Sequence, residues 1–281
     1  SRGLEMCIRD RIKTVAVLGA GAVGSYVIWG LSNRKDIRLG VIAEGERAER
    51  MKKGCIINGI TYHPEVWTPQ EAKGTDLLLV ALKYGALPGA LESIRTITGE
   101  HTTVMSLMNG VDSEEIIAKE IGATHILHAL IKVASHKEGN GYCFNPETTI
   151  GIIFGELTAP YQSERVQAIE DLFADTGLHY RATEYIKEEM WCKFRLNVGN
   201  NLPQAVLGAG VGCYRDSMHM KEISNKLRGN WKRLQQQKES TSVRQMIHPV
   251  TEVPFRHLQD ILPFRIWMQD VTQKSICSQV R

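Results

Sequence analysis

The 281-residue sequence lacks the long apolar runs and the one-sided charge that mark membrane-spanning and nucleic-acid-binding proteins. Its longest uninterrupted apolar run, residues 77–82, falls far short of the roughly 20 residues that a membrane-spanning helix needs. The 34 basic and 31 acidic residues leave a formal net charge of +3, too small and too scattered to indicate a nucleic-acid partner. We therefore expect neither a membrane nor a nucleic acid among its partners.

The sequence also lacks the residue patterns of disulfide frameworks and metal sites. Its six cysteines are widely spaced without a Cys-x-x-Cys pair, and its nine histidines form no His-Glu-x-x-His or similar cluster. Such spacing is typical of reduced thiols in a cytosolic protein. No secretory signal peptide is recognised ahead of the first predicted strand. These absences together lead us to expect a cytoplasmic protein without a metal site.

The order of apolar runs predicts an α/β fold and two domains. Short apolar runs that alternate with helical stretches cover residues 14–18, 38–43, 76–81, 102–107 and 124–131. This alternation predicts right-handed βαβ crossovers and a doubly wound parallel sheet covered on both faces. From about residue 185 the pattern becomes helical, as in 186–207. The sequence thus predicts a Rossmann-type domain over 12–184 and an all-helical domain over 185–281.

A glycine-rich loop, Gly19-Ala20-Gly21-Ala22-Val23-Gly24, follows the first predicted strand and opens a predicted helix over 25–32. In such a loop the first glycine permits a tight turn, the second lets the backbone approach a pyrophosphate, and the third lets the helix pack on the sheet. The N–H groups at the helix start then hold the phosphates. Because the loop has this strand–loop–helix context, it predicts a site for NAD or NADP rather than a merely permissive turn.

The choice between the two cofactors stays open in the sequence. Glu44 lies 20 residues after Gly24, where an acidic residue would bind the ribose 2′-hydroxyl of NAD. Arg47 and Arg50 follow closely and are suited to the 2′-phosphate of NADP, which an inward-pointing Glu44 would repel. A third interpretation makes these alternating charges a solvated helix face.

Lys193, Asn197 and Asn201 recur at four-residue intervals in the helical stretch. At about 100° per residue, each interval is close to one α-helical turn, so the three side chains form one slanting stripe. The flanking Trp191 and Phe194 make the segment too apolar for a surface helix, which argues against a simple solvent-facing stripe. A lysine and two asparagines offer donors and acceptors to a small keto acid, and a partly buried lysine can donate a proton.

These motifs, in this order, resemble the ketopantoate reductase (2-dehydropantoate 2-reductase) family. Three shorter motifs complete the resemblance over roughly residues 12–228, and they are Ala81-Leu82-Lys83, Met108-Asn109-Gly110 and Phe154-Gly155-Glu156. The resemblance implies a Rossmann domain, a helical domain and an active site in the cleft between them. It also implies reduction of ketopantoate to pantoate with NADPH, on the way to pantothenate and coenzyme A.

The resemblance assigns roles to the residues that match its motifs. It implies that Lys193 is the general acid and that Asn197 and Asn201 bind substrate. It implies that Asn109 sits between nicotinamide and substrate, and that Lys83 lies beside the cofactor. For these last two residues, ordinary strand-end and turn chemistry is the alternative. NADPH-dependent members often carry arginine at the position of Glu44, which weakens the NADP prediction without reversing it.

Two other interpretations fit the same motifs. One is another two-domain dehydrogenase of the β-hydroxyacid type, which also places a lysine and an asparagine on a helix after a Rossmann domain. The other is a non-catalytic NAD(P)-binding paralogue. For an enzyme, the expected partner is a small-molecule 2-keto acid, and a homodimer is a further expectation.

Both ends of the chain depart from the pattern. Residues 1–11 have no folding pattern and resemble a translated sequencing adapter at 6–11, so we exclude them as a non-native leader. In residues 230–281 the family's serine-bearing segment before Leu-Gln-Asp and its later Thr-Glu-Ile-Asp run are missing. Reading the tail one base earlier, with permitted synonymous codons, restores both elements in the right order. We infer a single-base frameshift near Gly229-Asn230 that put residues 230–281 out of frame.

Re-sequencing of the gene tests the frameshift. We expect one base to be gained or lost near the codons of Gly229 and Asn230, whereas an uninterrupted frame that encodes the tail as printed contradicts the hypothesis. If the tail is genuine, the helical domain lacks substrate contacts, and activity is expected to be low or absent.

Overall fold

A computed structural model describes residues 12–242, which form two compact units that divide between Met190 and Trp191. The predictions for residues 1–11 and for the tail from residue 243 lie outside the described residues. The predicted domain boundary at 184 stays a prediction. Within residues 12–242, none of the helices has the length and apolar character that crossing a membrane requires.

The first unit is built on short strands. In chain order they are β1 (Thr14–Leu18), β2 (Arg38–Ile42), β3 (Cys55–Ile57), β4 (Ile60–Tyr62), β5 (Glu65–Trp67), β6 (Leu77–Val80), β7 (Thr103–Ser106), β8 (His128–Lys132), β9 (His136–Glu138), β10 (Gly141–Cys143), β11 (Gly151–Gly155) and β12 (Tyr180–Ala182). Five parallel strands in the order β5-β2-β1-β6-β7 form the central sheet. Two smaller sheets have the orders β4-β3-β10-β9 and β12-β11-β8.

Helices connect the strands and make up the second unit. In the first unit they are α1 (Ala22–Leu31), α2 (Gly45–Lys52), α3 (Leu87–Ile97), α4 (Ser113–Ile121) and α5 (Glu164–Phe173), with 3₁₀ turns at Tyr84–Ala86 and Ala123–His125. The division between the units falls in α6 (Ile186–Leu196). A π-helical segment (Asn197–Asn201), α7 (Leu202–Leu207), α8 (Cys213–Asp216) and α9 (Met218–Ser242) follow.

The central sheet is buried on both faces, as the sequence predicts for parallel strands. Alternate residues of β1 enter different hydrophobic clusters, with Val15 and Val17 in one and Ala16 and Leu18 in the other. This alternation follows from the two-residue period of a strand. The doubly wound parallel sheet followed by a helical region is therefore confirmed as the fold class.

Two predictions about local structure were wrong. The strand that was predicted over 124–131 begins only at His128, as β8. The preceding residues Ala123–His125 form a 3₁₀ turn instead. The His125 imidazole Nδ1 lies 2.9 Å from the carbonyl of Thr102, which holds that turn. In addition, β8 belongs to the sheet β12-β11-β8, in which it runs antiparallel to β11, and not to the central parallel sheet.

The residues from 230 to 242 continue α9, although their sequence has little helical apolar periodicity. Lysine, arginine, leucine, glutamine and glutamate dominate this stretch and have high intrinsic helix propensity. The intrinsic helix propensity of these residues is therefore sufficient for a helix, although the segment has no apolar stripe.

A half-buried ion pair explains part of the Phe154-Gly155-Glu156 motif. Glu156 accepts two hydrogen bonds from Arg165, at 2.7 Å from Nε and 2.6 Å from Nη2, and one from the Ser163 hydroxyl at 2.6 Å. Arg165 also donates to the carbonyls of Thr124 and Ile126. Because a bidentate ion pair fixes the relative orientation of its two side chains, this motif connects β11, α5 and the turn before β8.

His128 lies beside this pair at the start of β8. Burial lowers its pKa from 6.5 to about 4, and the Arg165 charge acts in the same direction while Glu156 opposes both. At a pH between these two pKa values, the imidazole of His128 is protonated in the unfolded chain but neutral in the folded chain. The free energy of unfolding therefore falls as the pH falls through this window.

We expect His128→Gln to flatten this pH dependence. Between about pH 7 and about pH 4.5 the wild type should lose about 2 kcal/mol more of its unfolding free energy than the variant. Urea unfolding across this range measures the difference, with the exposed His101→Gln as the control. Parallel pH profiles for wild type and His128→Gln would contradict the assignment.

Candidate functional site

The glycine loop takes the geometry that a dinucleotide-binding turn needs. Gly19 has a φ of +107°, and a Cβ there would lie only 2.7 Å from the carbonyl oxygen of Ala81. A Cβ on Gly24 would overlap the carbonyl of Gly19. These two glycines are therefore required by the fold itself, since α1 crosses directly over the end of β1.

Gly21 differs from Gly19 and Gly24 because the space beside it is open. Among residues 12–242, leaving aside the adjoining backbone, no heavy atom lies within 4 Å of the position that a Cβ on Gly21 would take. Gly21 is the N-cap of α1, and its carbonyl accepts the first helical hydrogen bond, from Ser25, at 2.8 Å. The N–H groups of the first turn have no helical partners, and the helix dipole favours an anion there. An open backbone at a helix N-terminus fits a pyrophosphate.

The predicted cofactor residues of the first unit follow neighbouring strands of one sheet. Glu44 comes after β2, the glycine loop after β1, Lys83 after β6 and Asn109 after β7. Because these strands are parallel neighbours, all four lie at the same carboxyl edge of the sheet. The structure therefore brings these residues to the edge at which ligands bind in open α/β sheets.

A hydrogen bond braces the two loops that carry Lys83 and Asn109. The Tyr84 hydroxyl donates to Asp112 Oδ2 at 2.8 Å, which joins segments 28 residues apart. This bond is the largest cause of a raised pKa at Tyr84. Asp112 is the N-cap of α4, yet its carboxylate makes no capping bond to that helix. Its side chain is used between the loops instead, which sequence reasoning missed.

Buried polar side chains support the second of these loops from below. The hydroxyls of Ser106 and Ser113 lie 2.8 Å apart, and Ser113 donates to Glu114 at 2.8 Å. All three residues are buried. Such a satisfied chain of hydrogen bonds restricts how the backbone can move around Asn109, which is exposed.

The residues proposed to distinguish NAD from NADP are exposed to solvent. Glu44 and Arg47 are both exposed, and α2 has no buried residue at all. Glu44 is the N-cap of α2 but makes no side-chain capping bond. The solvated-face interpretation and a ribose-binding role are thus both compatible with this geometry.

In the second unit, the side chains of Asn197 and Asn201 are in contact. Asn201 Nδ2 donates to Asn197 Oδ1 at 3.2 Å, so both side chains lie on one face of the helical segment. Lys193 is half-buried in the last turn of α6, one α-helical turn before Asn197. The slanting stripe expected from a regular α-helix is altered here, since Asn197–Asn201 form a π-helix.

A proline accounts for this change of helix type. The N–H of Leu202 bonds to the carbonyl of Asn197, five residues earlier. Pro203 follows and has no N–H to give to the carbonyl four residues before it. Single π-helical turns inside α-helices are rare and frequently occur at functional sites.

Asn200, which the sequence did not single out, organises the packing around this turn. Its carbonyl accepts from the Tyr214 hydroxyl at 2.5 Å and from Gln204 at 2.8 Å, and its side chain accepts from Arg228. Burial, followed by the nearby charge of Arg195, lowers the pKa of Arg228. Asn200 is thus a structural residue that fixes the π-helical turn.

The fold and the loop define the first unit as an α/β domain of the dinucleotide-binding class, and its sequence matches that of a known family. The sequence model described as ketopantoate reductase PanE/ApbA matches residues 15–156, so the chain belongs to the ketopantoate reductase family of oxidoreductases. The resemblance inferred from the motifs is therefore confirmed.

Two curated relatives give the scale of the similarity. The chain is 24% identical over 183 residues to the uncharacterized oxidoreductase YkpB of Bacillus subtilis, a match that covers 63% of the chain and 60% of that protein. It is 25% identical over 221 residues to a 2-dehydropantoate 2-reductase of Archaeoglobus fulgidus, which covers 76% of the chain and 71% of the relative. The chain thus spans 60% of the length of the first protein and 71% of the length of the second.

Two solved structures share the fold. 2-Dehydropantoate 2-reductase of Geobacter metallireducens has a TM-score of 0.67 at 21% identity, covering 84% of this chain and 85% of that one. A D-mandelate dehydrogenase in complex with NADH also has a TM-score of 0.67, at 18% identity, covering 80% of this chain and 74% of that one. At these identities the likeness establishes the fold alone.

Proposed function

We propose that this protein is a nicotinamide-dependent 2-keto acid reductase, with NADPH as the preferred cofactor and ketopantoate as the first candidate substrate. The observation that carries the proposal is the open backbone of Gly21 at the start of α1, in a chain of the ketopantoate reductase family. The product would be the 2-hydroxy acid pantoate, which leads to pantothenate and coenzyme A. We place this reaction in the cytoplasm.

The chain's own residues would hold the cofactor along the carboxyl edge of the sheet. The N–H groups of Ala22 and Val23 would face the pyrophosphate, while Gly21 lets it approach. The ammonium group of Lys83 would offset phosphate charge, and Asn109 would contact the nicotinamide. A reduced nicotinamide, when bound, supplies the hydride for the keto carbon.

Lys193 would complete the reduction by giving its proton to the oxygen of the keto group. A lysine suits this step because its positive charge also stabilises the negative charge that develops on that oxygen. Asn197 and Asn201 would bind the carboxylate or hydroxyl groups of the substrate, since their amides offer both donors and acceptors. Their mutual hydrogen bond orients the two amides before substrate binds.

A second candidate function is supported by the D-mandelate dehydrogenase neighbour. That protein is named for an aromatic 2-hydroxy acid and was solved with NADH. An NAD-linked enzyme for a bulkier 2-keto acid is consistent with Glu44 at the end of β2, because an acidic residue there suits a ribose 2′-hydroxyl. A non-catalytic NAD(P)-binding paralogue is the remaining alternative.

The kinetic prediction concerns Lys193. We expect Lys193→Ala to lower kcat/KM for the preferred 2-keto acid by about 10²- to 10⁴-fold while NADPH binding stays unchanged, because general acid catalysis contributes on this scale. Initial rates with ketopantoate and an aromatic 2-keto acid measure the effect. Lys187→Ala, in the same helix, is the matched control.

The frame-restored chain belongs in the same experiment. Activity that appears only after frame repair would support both the mechanism and the frameshift. Activity that is indifferent to Lys193 would exclude the proposed acid. NADPH binding without turnover in either chain would favour the non-catalytic paralogue.

The cofactor prediction concerns α2 and its N-cap. We expect Arg47→Ala to weaken NADPH binding about tenfold and to leave NADH binding unchanged, since it removes about 1.4 kcal/mol of attraction to the 2′-phosphate. Glu44→Gln should tighten NADPH binding because it removes repulsion of the same phosphate. Fluorescence titrations with both cofactors measure the Kd values, with Lys52→Ala on the same helix as control. Equal effects of Arg47→Ala on both cofactors would contradict the assignment.

A further inference from the structure

The hairpin formed by β9 and β10 gathers three side chains that commonly bind metals. His136 is paired directly with Cys143 across the two antiparallel strands, and Glu138 lies two residues along β9. Residues two apart on a strand share a face, and directly paired residues of neighbouring strands do as well. The sequence showed no metal motif because the register of the hairpin, and not a recognised motif such as Cys-x-x-Cys, brings Cys143 to the other two.

The ligand atoms of these residues are already close together. One imidazole nitrogen of His136, one carboxylate oxygen of Glu138 and the sulfur of Cys143 all lie within 4.8 Å of one another. The Cys143 thiol donates to Glu138 Oε2 at 2.8 Å. Tetrahedral zinc with normal bond lengths needs ligand atoms about 3.4–3.6 Å apart, so modest side-chain rotations bring the three into range.

We propose that His136, Glu138 and Cys143 form a binding site for a divalent cation of the zinc class. Nitrogen, carboxylate oxygen and thiolate sulfur are the donor set that zinc accepts, whereas calcium and magnesium take oxygen ligands. The cation replaces the proton that Cys143 shares with Glu138, as binding to a thiolate requires. Three protein ligands leave one coordination position to water.

The surroundings favour an ion that enters from solvent. His136 and Glu138 are exposed and Cys143 is half-buried, so the three ligand atoms are accessible. Lys137 is paired with Tyr142 and therefore points to the opposite face of the hairpin. Its charge does not oppose the cation.

The site has a structural consequence for the first unit. Phe144, which directly follows Cys143, is buried and packs edge-on against Tyr26 and Trp29 of α1, with ring centroids 5.1 and 5.4 Å away. Its N–H donates to Asn58 at 2.9 Å. A cation that joins β9 to β10 would therefore stabilise the hairpin beside its anchor on α1, and cation binding should raise the unfolding temperature.

Calorimetric titration of the full chain with Zn²⁺, together with Co²⁺ absorption spectra, tests the site. We expect one ion bound per chain and a thiolate-to-cobalt charge-transfer band. His136→Ala, Glu138→Gln and Cys143→Ser should each weaken Zn²⁺ binding at least about tenfold. Cys143→Ser should also abolish the charge-transfer band. The controls are His101→Ala and Cys213→Ser, which should leave both signals unchanged.

The unfolding temperature gives a second readout. Zn²⁺ should raise it in the wild type and in both controls, and much less in the three ligand variants. Absence of Zn²⁺ binding in the wild type, or binding that survives His136→Ala and Cys143→Ser, overturns the proposal. NADPH binding is predicted to be indifferent to all three ligand variants, so the outcome is independent of the proposed reductase function.

Discussion

The close approach of α1 to the end of β1 is the constraint on which the rest of the first unit depends. It exists because Gly24 has no Cβ, so that the helix can pass directly over the carbonyl of Gly19. The same approach aligns the open backbone of Gly21 with the helix N-terminus. A larger residue at Gly24 would push α1 away from the sheet and spoil the anion site together with the core.

The remaining predicted residues of this unit depend on the order of the strands. Parallel neighbours end at one edge of the sheet, where β1 delivers the glycine loop and β2, β6 and β7 each deliver one polar residue. The loops that hold these residues are then held in place by side-chain hydrogen bonds. The bond between Tyr84 and Asp112 and the buried hydroxyls beneath Asn109 are examples. The order of the strands thus brings these residues to one edge, and side-chain hydrogen bonds connect the loops that carry them.

In the second unit, the polar stripe of Lys193, Asn197 and Asn201 depends on an irregular turn of the helix. Pro203 cannot donate a backbone hydrogen bond, and the turn before it widens to a π-helix. Asn200 then turns inward to accept from Tyr214 and Arg228, while Asn197 and Asn201 contact each other. A buried structural asparagine and two candidate binding asparagines therefore arise from the same five-residue turn.

The sequence alone determined the parallel sheet, the first strand from 14 to 18 and the glycine loop, because apolar runs and glycine spacing report local requirements directly. It also named the family through ordered motifs. Only the tertiary structure decided that β8 runs antiparallel to β11, that Asp112 serves Tyr84, and that Cys143 faces His136. The first two depend on contacts between segments that lie far apart in the sequence, and the third depends on the register of the hairpin formed by β9 and β10. The local polarity and spacing of the residues do not encode these partners.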